Sequence, residues 1–415
     1  MSPTPRAAAF LGAAALAGLV VPLPLAALAM LAVAAATVVD AVLARRAPSL
    51  AREASAVLYR GVAAPLRLVT TRPGAGPVRV RQPVPPDLEL TPSEADGRLD
   101  ATLHPRRRGR HVLPAAALRV RGPLGLGCAY SRALEDVDVL VYPDLPAAHR
   151  LVLAVRQGRF RDVGQHSRGP LGLGTEFESV RDYLPDDDVR QVNWRATARL
   201  GRPMSNQYRV EQDRDVICVI DTGRLMAAPL GDRTRLDVAI DALVAVAAVA
   251  DEVGDRCGAV AFDRTVRRHL TPRRKGSRAV VRAFFDLEPT PVDSDYELAF
   301  RTIGNAKRAF VLVLTDLLEE AAARPLVEAI PVLRRRHAVA IASAADTDVE
   351  AFLRTAPMKP IDVYTAAVAV DVLAARARVA AELRRAGADV IEAAPERLGA
   401  ACVRAYLKAK ARARL

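Results

Sequence analysis

A multi-domain α/β protein with a membrane-inserted N-terminus is what this 415-residue sequence predicts, and three observations carry the prediction. No charged residue occurs from Ala7 to Val39. From Pro48 to about Ala148 the chain runs in short alternating apolar and polar stretches broken by proline and glycine. From Val216 onward, continuous apolar runs alternate with amphipathic helical patterns, the pattern of a mostly parallel sheet covered on both faces. The expected order is a transmembrane helical hairpin (1–47), a small β-sandwich (48–149), a linker and polar platform (150–214), and a doubly wound α/β domain (215–415).

Composition bounds the rest. Aromatic residues make up only 4% of the chain, so the cores are expected to be aliphatic. Lys and Arg exceed Asp and Glu by 13, which permits contact with polyanions; the arginines are scattered through every region. Cys128, Cys218, Cys257 and Cys402 lie far apart with no C-x-x-C pair, so neither a disulfide framework nor a zinc site is indicated. That usage fits a reducing compartment.

As one straight helix, the charge-free stretch would be about 50 Å long, against a ~30 Å hydrocarbon core. Pro22 and Pro24 divide it into two expected helices, Ala7–Val21 and Leu25–Val39. Arg6 on one flank and Arg45 with Arg46 on the other place both ends in the cytoplasm. The competing reading is a secretory signal cleaved after Ala27-Leu28-Ala29, but the apolar run continues through Val39.

In the β region, segments such as PVRVRQPV, RLDATLHP and VDVLVYPDL have the period of strands between turns. The run Arg106-Arg107-Arg108-Gly109-Arg110 reads as a charged hairpin edge facing solvent or acidic lipid, or as a phosphate patch. His104 and His111 have no Cys or carboxylate cluster beside them in sequence.

In the last region, strands are expected at Val216–Asp221, Cys257–Phe262, Phe310–Asp316, Ala338–Ser343 and Asp389–Ile391. Helices are expected at Leu236–Val253, Gly276–Phe285, Asp295–Ile303, Arg324–Arg335, Ala367–Arg385 and Pro395–Lys408. Ligands of such sheets bind at the carboxyl ends of strands. Asp221 and Asp316, with Thr222 and Thr315 beside them, are therefore the first place to look for a site, and oxygen ligands of this kind suit a hard cation such as Mg2+.

Thr175–Arg199, TEFESVRDYLPDDDVRQVNWRATAR, closely resembles the signature of the bacterial "domain of unknown function 58" family. RRRGRHVLPAAALRVRGPLGLG upstream and AYLKAKARARL at the end extend the likeness over essentially the whole chain. The resemblance implies a membrane hairpin, a cytoplasmic β domain, and a C-terminal domain similar to the von Willebrand factor A fold, a Rossmann-type architecture. Such folds often carry an adhesion-type Mg2+ site of the form Asp-x-Ser-x-Ser, with a threonine and a later aspartate. Here the first element reads Asp221-Thr222-Gly223-Arg224-Leu225, so both serine positions are replaced. Asp316, preceded by Thr315, matches the later aspartate, and Thr290 or Ser294 is available for the middle threonine. Two lost hydroxyl ligands make this a degenerate site, because Mg2+ demands near-octahedral oxygen coordination.

The resemblance also implies a MoxR-type AAA+ ATPase as partner, acting with this chain on client proteins in maturation or remodelling. The expected platform comprises Glu176, Phe177, Glu178, Arg181, Asp182, Tyr183, Asp186, Asp187, Asp188, Arg190, Asn193, Trp194, Arg195 and Arg199. Interleaved charges of this kind set docking register; the alternative is a set of internal ion pairs with Trp194 as a packing anchor. No Walker-type loop appears, so ATP is left to the partner. A non-enzymatic membrane-anchored adaptor is the expected function. A metal-dependent hydrolase using Asp186, Asp187, Asp188, Asp221 and Asp316 lacks a motif-placed base. A nucleic-acid binder using the basic tail Lys408–Arg414 lacks aromatic interleaving.

Overall fold

The computed structural model describes residues 1–46, 48–70, 76–159, 176–184, 187, 189–209, 214–303, 308–316, 320–354 and 359–411. It divides into two compact units, Met1–Tyr142 and Pro143–Leu415.

In the first unit the charge-free stretch forms helices α1 (Pro5–Ala17) and α2 (Leu23–Leu43), which pack against each other. Thr4 caps α1 by accepting from the Ala7 amide, and Pro22 and Pro24 fix the start of α2, since proline is best accommodated in a helix's first turn, where its missing N–H costs nothing. α1 ends four residues earlier than expected, at Gly18, where a Cβ would lie 3.3 Å from that of Ala26. α2 is long and apolar enough to cross a membrane, and α1 is a shorter apolar helix. Their apolar surface is open: Phe10, Leu16, Leu28 and Leu31 are all more than half exposed.

The rest of this unit is strand. Leu50–Ala54, Ala64–Thr70, Leu99–Pro105 and Leu88–Thr91 pair in that order in one antiparallel sheet. Gly127–Ala133, Ala116–Arg121, Val78–Arg81 and Glu94–Asp96 form most of a second, and Val57–Tyr59, Val137–Tyr142 and Gly109–Leu113 a third. Alternation buries Leu99, Ala101 and Leu103 on one side of their strand, and with Leu66, Leu68, Leu113 and Leu118 they make an aliphatic core. The expected solvent-facing arginine edge is split. Arg106 is exposed and pairs with Glu89 at 2.6 Å, whereas Arg108, in the turn just before Gly109–Leu113, is buried.

The second unit opens with α3 (Leu145–Arg156), amphipathic and capped by Asp144. After it come β1 (Glu176–Asp182), α4 (Trp194–Leu200) and β2 (Met204–Arg209), with β1 and β2 paired antiparallel. The main sheet is built from β3 (Asp215–Asp221), β4 (Arg256–Phe262), β5 (Val266–Arg273), β6 (Ala309–Leu314), β7 (Ala338–Ala344) and β8 (Asp389–Ala393). Its order is β5-β4-β3-β6-β7-β8, with all neighbours parallel except β5 on β4. Each expected strand is present; β5 is additional.

The connecting helices are α5 (Arg235–Glu252), α6 (Ser277–Phe284), α7 (Tyr296–Ile303), α8 (Glu320–Arg334), α9 (Thr347–Arg354), α10 (Pro360–Ala386) and α11 (Pro395–Ala411). Ile217 and Val219 of β3, Val311 and Val313 of β6 and Ile341 of β7 pack against α7, α8 and α10, while α5 and α11 lie on the sheet and on each other. α10 begins earlier than the expected Ala367 because Pro360 starts it and Asp362 accepts from the Lys359 amide. The crossover direction changes between β3 and β6, which opens a crevice at their carboxyl ends.

Candidate functional site

At that crevice the last residue of β3 and the two residues after β6 meet, because the parallel register sets Ile220 against Leu314. Asp221 is buried, and four protein groups donate to it. Oδ1 accepts from the Gly223 amide at 2.8 Å and from the Ser294 hydroxyl, and Oδ2 accepts from Thr315 at 2.7 Å and Tyr296 at 3.1 Å. Gly223 is required here, since a Cβ would come within 2.2 Å of Ser294 Oγ and 2.9 Å of the Val292 carbonyl oxygen. Arg224 points away, to Asp293 at 2.6 Å.

Asp316 is set apart by charge. Its Oδ1 accepts from Arg235 at 3.3 Å and from Arg376, both guanidiniums being buried, and from Ser343 at 3.4 Å. Arg235 also binds Asp346 at 3.1 Å and the Ala344 carbonyl at 3.0 Å. Burial pushes the Arg235 pKa down, against the pull of Asp316. Thr222 and Thr290 turn elsewhere: Thr222 donates to the Phe262 carbonyl at 2.9 Å, and Thr290 to Asp263 at 2.9 Å. Of the residues available for the middle hydroxyl, Ser294 reaches Asp221 and Thr290 does not.

This donor set does not fit a divalent cation. Asp221 spends its lone pairs on four donors, and two buried guanidiniums already face Asp316. Among the described residues no group of three or more His, Cys, Asp or Glu side chains is placed to hold a metal. Tyr296, Arg235 and Arg376 were not foreseen. They come from three helices, and no spacing in the sequence ties them to Asp221 or Asp316.

Burial, and then Asp221, raise the Tyr296 phenol well above its ordinary pKa; burial and Asp255 do the same to Tyr406. The unfolded chain releases these two protons near pH 10 and the folded chain keeps them, so stability falls as pH rises past about 10. Tyr296 and Tyr406 are expected to ionise only as the protein unfolds, read as a late step in phenolate absorbance that coincides with loss of circular dichroism. Early ionisation of Tyr296 would contradict the described network.

The platform is a hairpin bridged by α4. Asn193 caps α4 by accepting from the Ala196 amide at 2.9 Å, and its amide donates to Asn206 of β2 at 2.7 Å. Gly201 ends the helix in the left-handed region. Asp187 accepts from Arg181 at 2.5 Å and from the Leu184 amide at 2.9 Å, and Tyr183 donates to the Asp187 carbonyl at 3.0 Å. Burial pushes the Asp187 carboxyl up, but these donors hold it below its usual range. Asp182 pairs with Arg202 at 3.2 Å.

Of the platform's carboxylates, Asp187 is turned inward on its own turn, while Asp182 stays exposed in its pair with Arg202. The platform's outer face carries Trp194, 70% exposed, with Arg195 and Arg199 exposed beside it. The packing-anchor expectation for Trp194 fails because the indole stands at the first turn of a short helix, with its face to solvent. Asp186 and Asp188 lie outside the described residues, as do the side chains of Glu176, Phe177, Glu178 and Arg190.

A family model described as "Protein of unknown function DUF58" matches residues 179–395, more than half of the chain. Uncharacterized proteins of Mycobacterium tuberculosis and Mycobacterium bovis are each 26% identical over 185 residues, which is 42% of this chain and 58% of theirs. The chain therefore matches less than two thirds of the length of these relatives. A cohesin module from a Clostridium perfringens family 33 glycoside hydrolase overlaps 23% of the chain and 98% of its own, at 9% identity and a TM-score of 0.17, too low to carry an argument.

Proposed function

This chain belongs to the DUF58 family of proteins of unknown function, and from that premise we propose that it is a membrane-anchored, non-enzymatic adaptor. Its second unit has a von Willebrand factor A-like, Rossmann-type fold, and its platform docks a MoxR-type AAA+ ATPase or that motor's clients for maturation or remodelling. One observation carries the docking role. Trp194 stands exposed with Arg195 and Arg199, two guanidiniums with no carboxylate partner among the described residues. Exposed tryptophan and arginine are the side chains that dominate binding energy in protein interfaces.

The fold reading is supported by the strand order. Counted in chain order, the sheet runs 3-2-1-4-5-6, the doubly wound order with a crevice between strands 1 and 4. Anchoring as a two-pass hairpin is supported by where the helices end. Thr4, just before α1, donates to the Gly125 carbonyl, and Asp40, near the end of α2, accepts from the Leu124 amide, so both outer ends meet one turn on one side. The bulk of the chain then lies on the cytoplasmic face. The hydrolase alternative is weakened because Asp221 and Asp316 are engaged by protein donors.

The test is affinity purification of the full-length protein from its native membranes, with mass spectrometry of what co-purifies. The wild type is expected to recover an AAA+ ATPase, and Arg195→Glu with Arg199→Glu to lose it while keeping its thermal stability. Because Trp194 is the chain's single tryptophan, its emission is expected to shift to shorter wavelength when the ATPase is added. Equal recovery by both proteins would remove the platform from the proposal.

A further inference from the structure

The strongest charge asymmetry in the described residues lies far from α4 in sequence, on the edge of the main sheet. Between Arg264 and Phe285 there are eight Lys or Arg residues and no Asp or Glu. All eight cationic side chains are exposed, on β5, on the turns before and after it and on α6. Arg267 reaches Asp263 at 3.6 Å. Arg264, Arg268, Arg273, Lys275 and Arg278 have no carboxylate partner among the described residues.

β5 is the terminal strand of its sheet, and its outer edge pairs with no strand among the described residues. Such an edge is a template for another chain, and arginines with Pro272 are the usual guard against indiscriminate pairing. The guard is selective, because its positive charges repel a basic strand and favour an acidic one. Beneath the strand lies a cavity of about 240 Å3, lined by His269, Leu270 and Thr271 of β5 together with Ile217, Val260 and Thr302. It offers room for a side chain projecting from whatever lies along the edge.

We propose that β5 is a second docking surface, taking an extended acidic polypeptide segment that adds to the sheet as a further strand and rests its carboxylates on the exposed guanidiniums. Two other polyanions fit less well. Nucleic acid without sequence preference is bound by aromatic stacking, and the exposed span 264–282 contains no aromatic residue other than His269. A bilayer surface takes anchoring from exposed apolar side chains, and among the described residues no exposed large hydrophobic side chain falls between Leu200 and Val332. Only an extended polypeptide also uses the free backbone edge. This surface is separate from the α4 platform, so it stands or falls without the ATPase reading.

The test uses the full-length protein in detergent micelles at physiological salt, with a fluorescein-labelled peptide of alternating Glu and Val, about ten residues long. Saturable binding by fluorescence anisotropy is expected, together with slowed amide exchange along β5. Arg268→Glu with Arg273→Glu is expected to weaken binding at least about tenfold. A peptide with Pro in place of each Val keeps the charge but cannot pair as a strand, and is expected to bind at least about tenfold more weakly. Equal binding of the proline peptide, or no effect of the charge reversal, overturns the proposal. So does competition of equal strength from phosphatidylglycerol vesicles or oligo-dT, which would make the strip a general polyanion surface.

Discussion

Asp316→Ala is expected to destabilise the second unit by about 3–5 kcal/mol, the cost of leaving buried charge without its partner. Asp316 is fully buried at its side chain, and Arg235 and Arg376 are 5% and 8% exposed. Arg235 retains Asp346 when Asp316 is removed, but among the described residues Arg376 keeps only a long contact to the Ala344 carbonyl, at 3.4 Å. Denaturant unfolding of wild type and variant reads the loss. Replacing all three by apolar residues of similar size, Asp316→Leu with Arg235→Met and Arg376→Met, is expected to recover most of it, since a buried ion cluster repays little beyond its own desolvation. A loss below about 1 kcal/mol for Asp316→Ala would place the pair in a solvated environment and undo the charge argument against a cation at this crevice.

That argument could be only half made from the sequence. The apolar runs ending in Asp221 and Asp316 were legible because a strand buried on both faces shows as continuous Val, Ile and Leu, and both aspartates do stand at the crevice. The replaced serines at Gly223 and Leu225 were legible too. What fills their place was not. Ser294, which the sequence offered beside Thr290, arrives from the loop before α7, Tyr296 from the first turn of α7 and the arginines from α5 and α10, so their convergence depends on tertiary packing that no local period records. β5 escaped for a different reason. Its sequence, VRRHLTPR, is dominated by polar residues because it is an edge strand facing solvent, and its apolar alternation is too thin to register. α4 escaped because seven residues are two turns, too short for a helical period to repeat. The mixed-charge text of the platform showed which residues carry charge but not that Asp187 is held by its own turn and the arginines beside Trp194 are left outward.

Asp40→Ala is the other substitution with a large expected effect, and it tests whether α2 and the β domain of the first unit act as one piece. Asp40 is fully buried, and its carboxylate accepts from the amides of Leu124 at 2.8 Å, Leu126 at 2.7 Å and Gly127 at 2.8 Å. A carboxylate on an apolar helix is costly unless its hydrogen bonds are made, and here the turn 124–127 makes them. The turn can approach only because glycines face the helix: a Cβ on Gly122 would meet Asp40 Oδ1 at 2.2 Å, and one on Gly127 the Ala41 amide nitrogen at 2.5 Å. Alanine at position 40 leaves three amides without their acceptor, at roughly 1–3 kcal/mol each where they stay buried. Amide exchange at Leu124, Leu126 and Gly127 is expected to speed up by about 100-fold or more, a loss of about 2.7 kcal/mol. Asp40→Asn, which keeps one acceptor oxygen, is expected to fall between the two, and Gly127→Ala to loosen the same amides from the other side by pushing the helix away. Unchanged exchange in Asp40→Ala would mean the helix and the turn are held together by other contacts. The expected result makes Asp40 the joint that fixes α2 to the β domain, so that a force applied to one reaches the other.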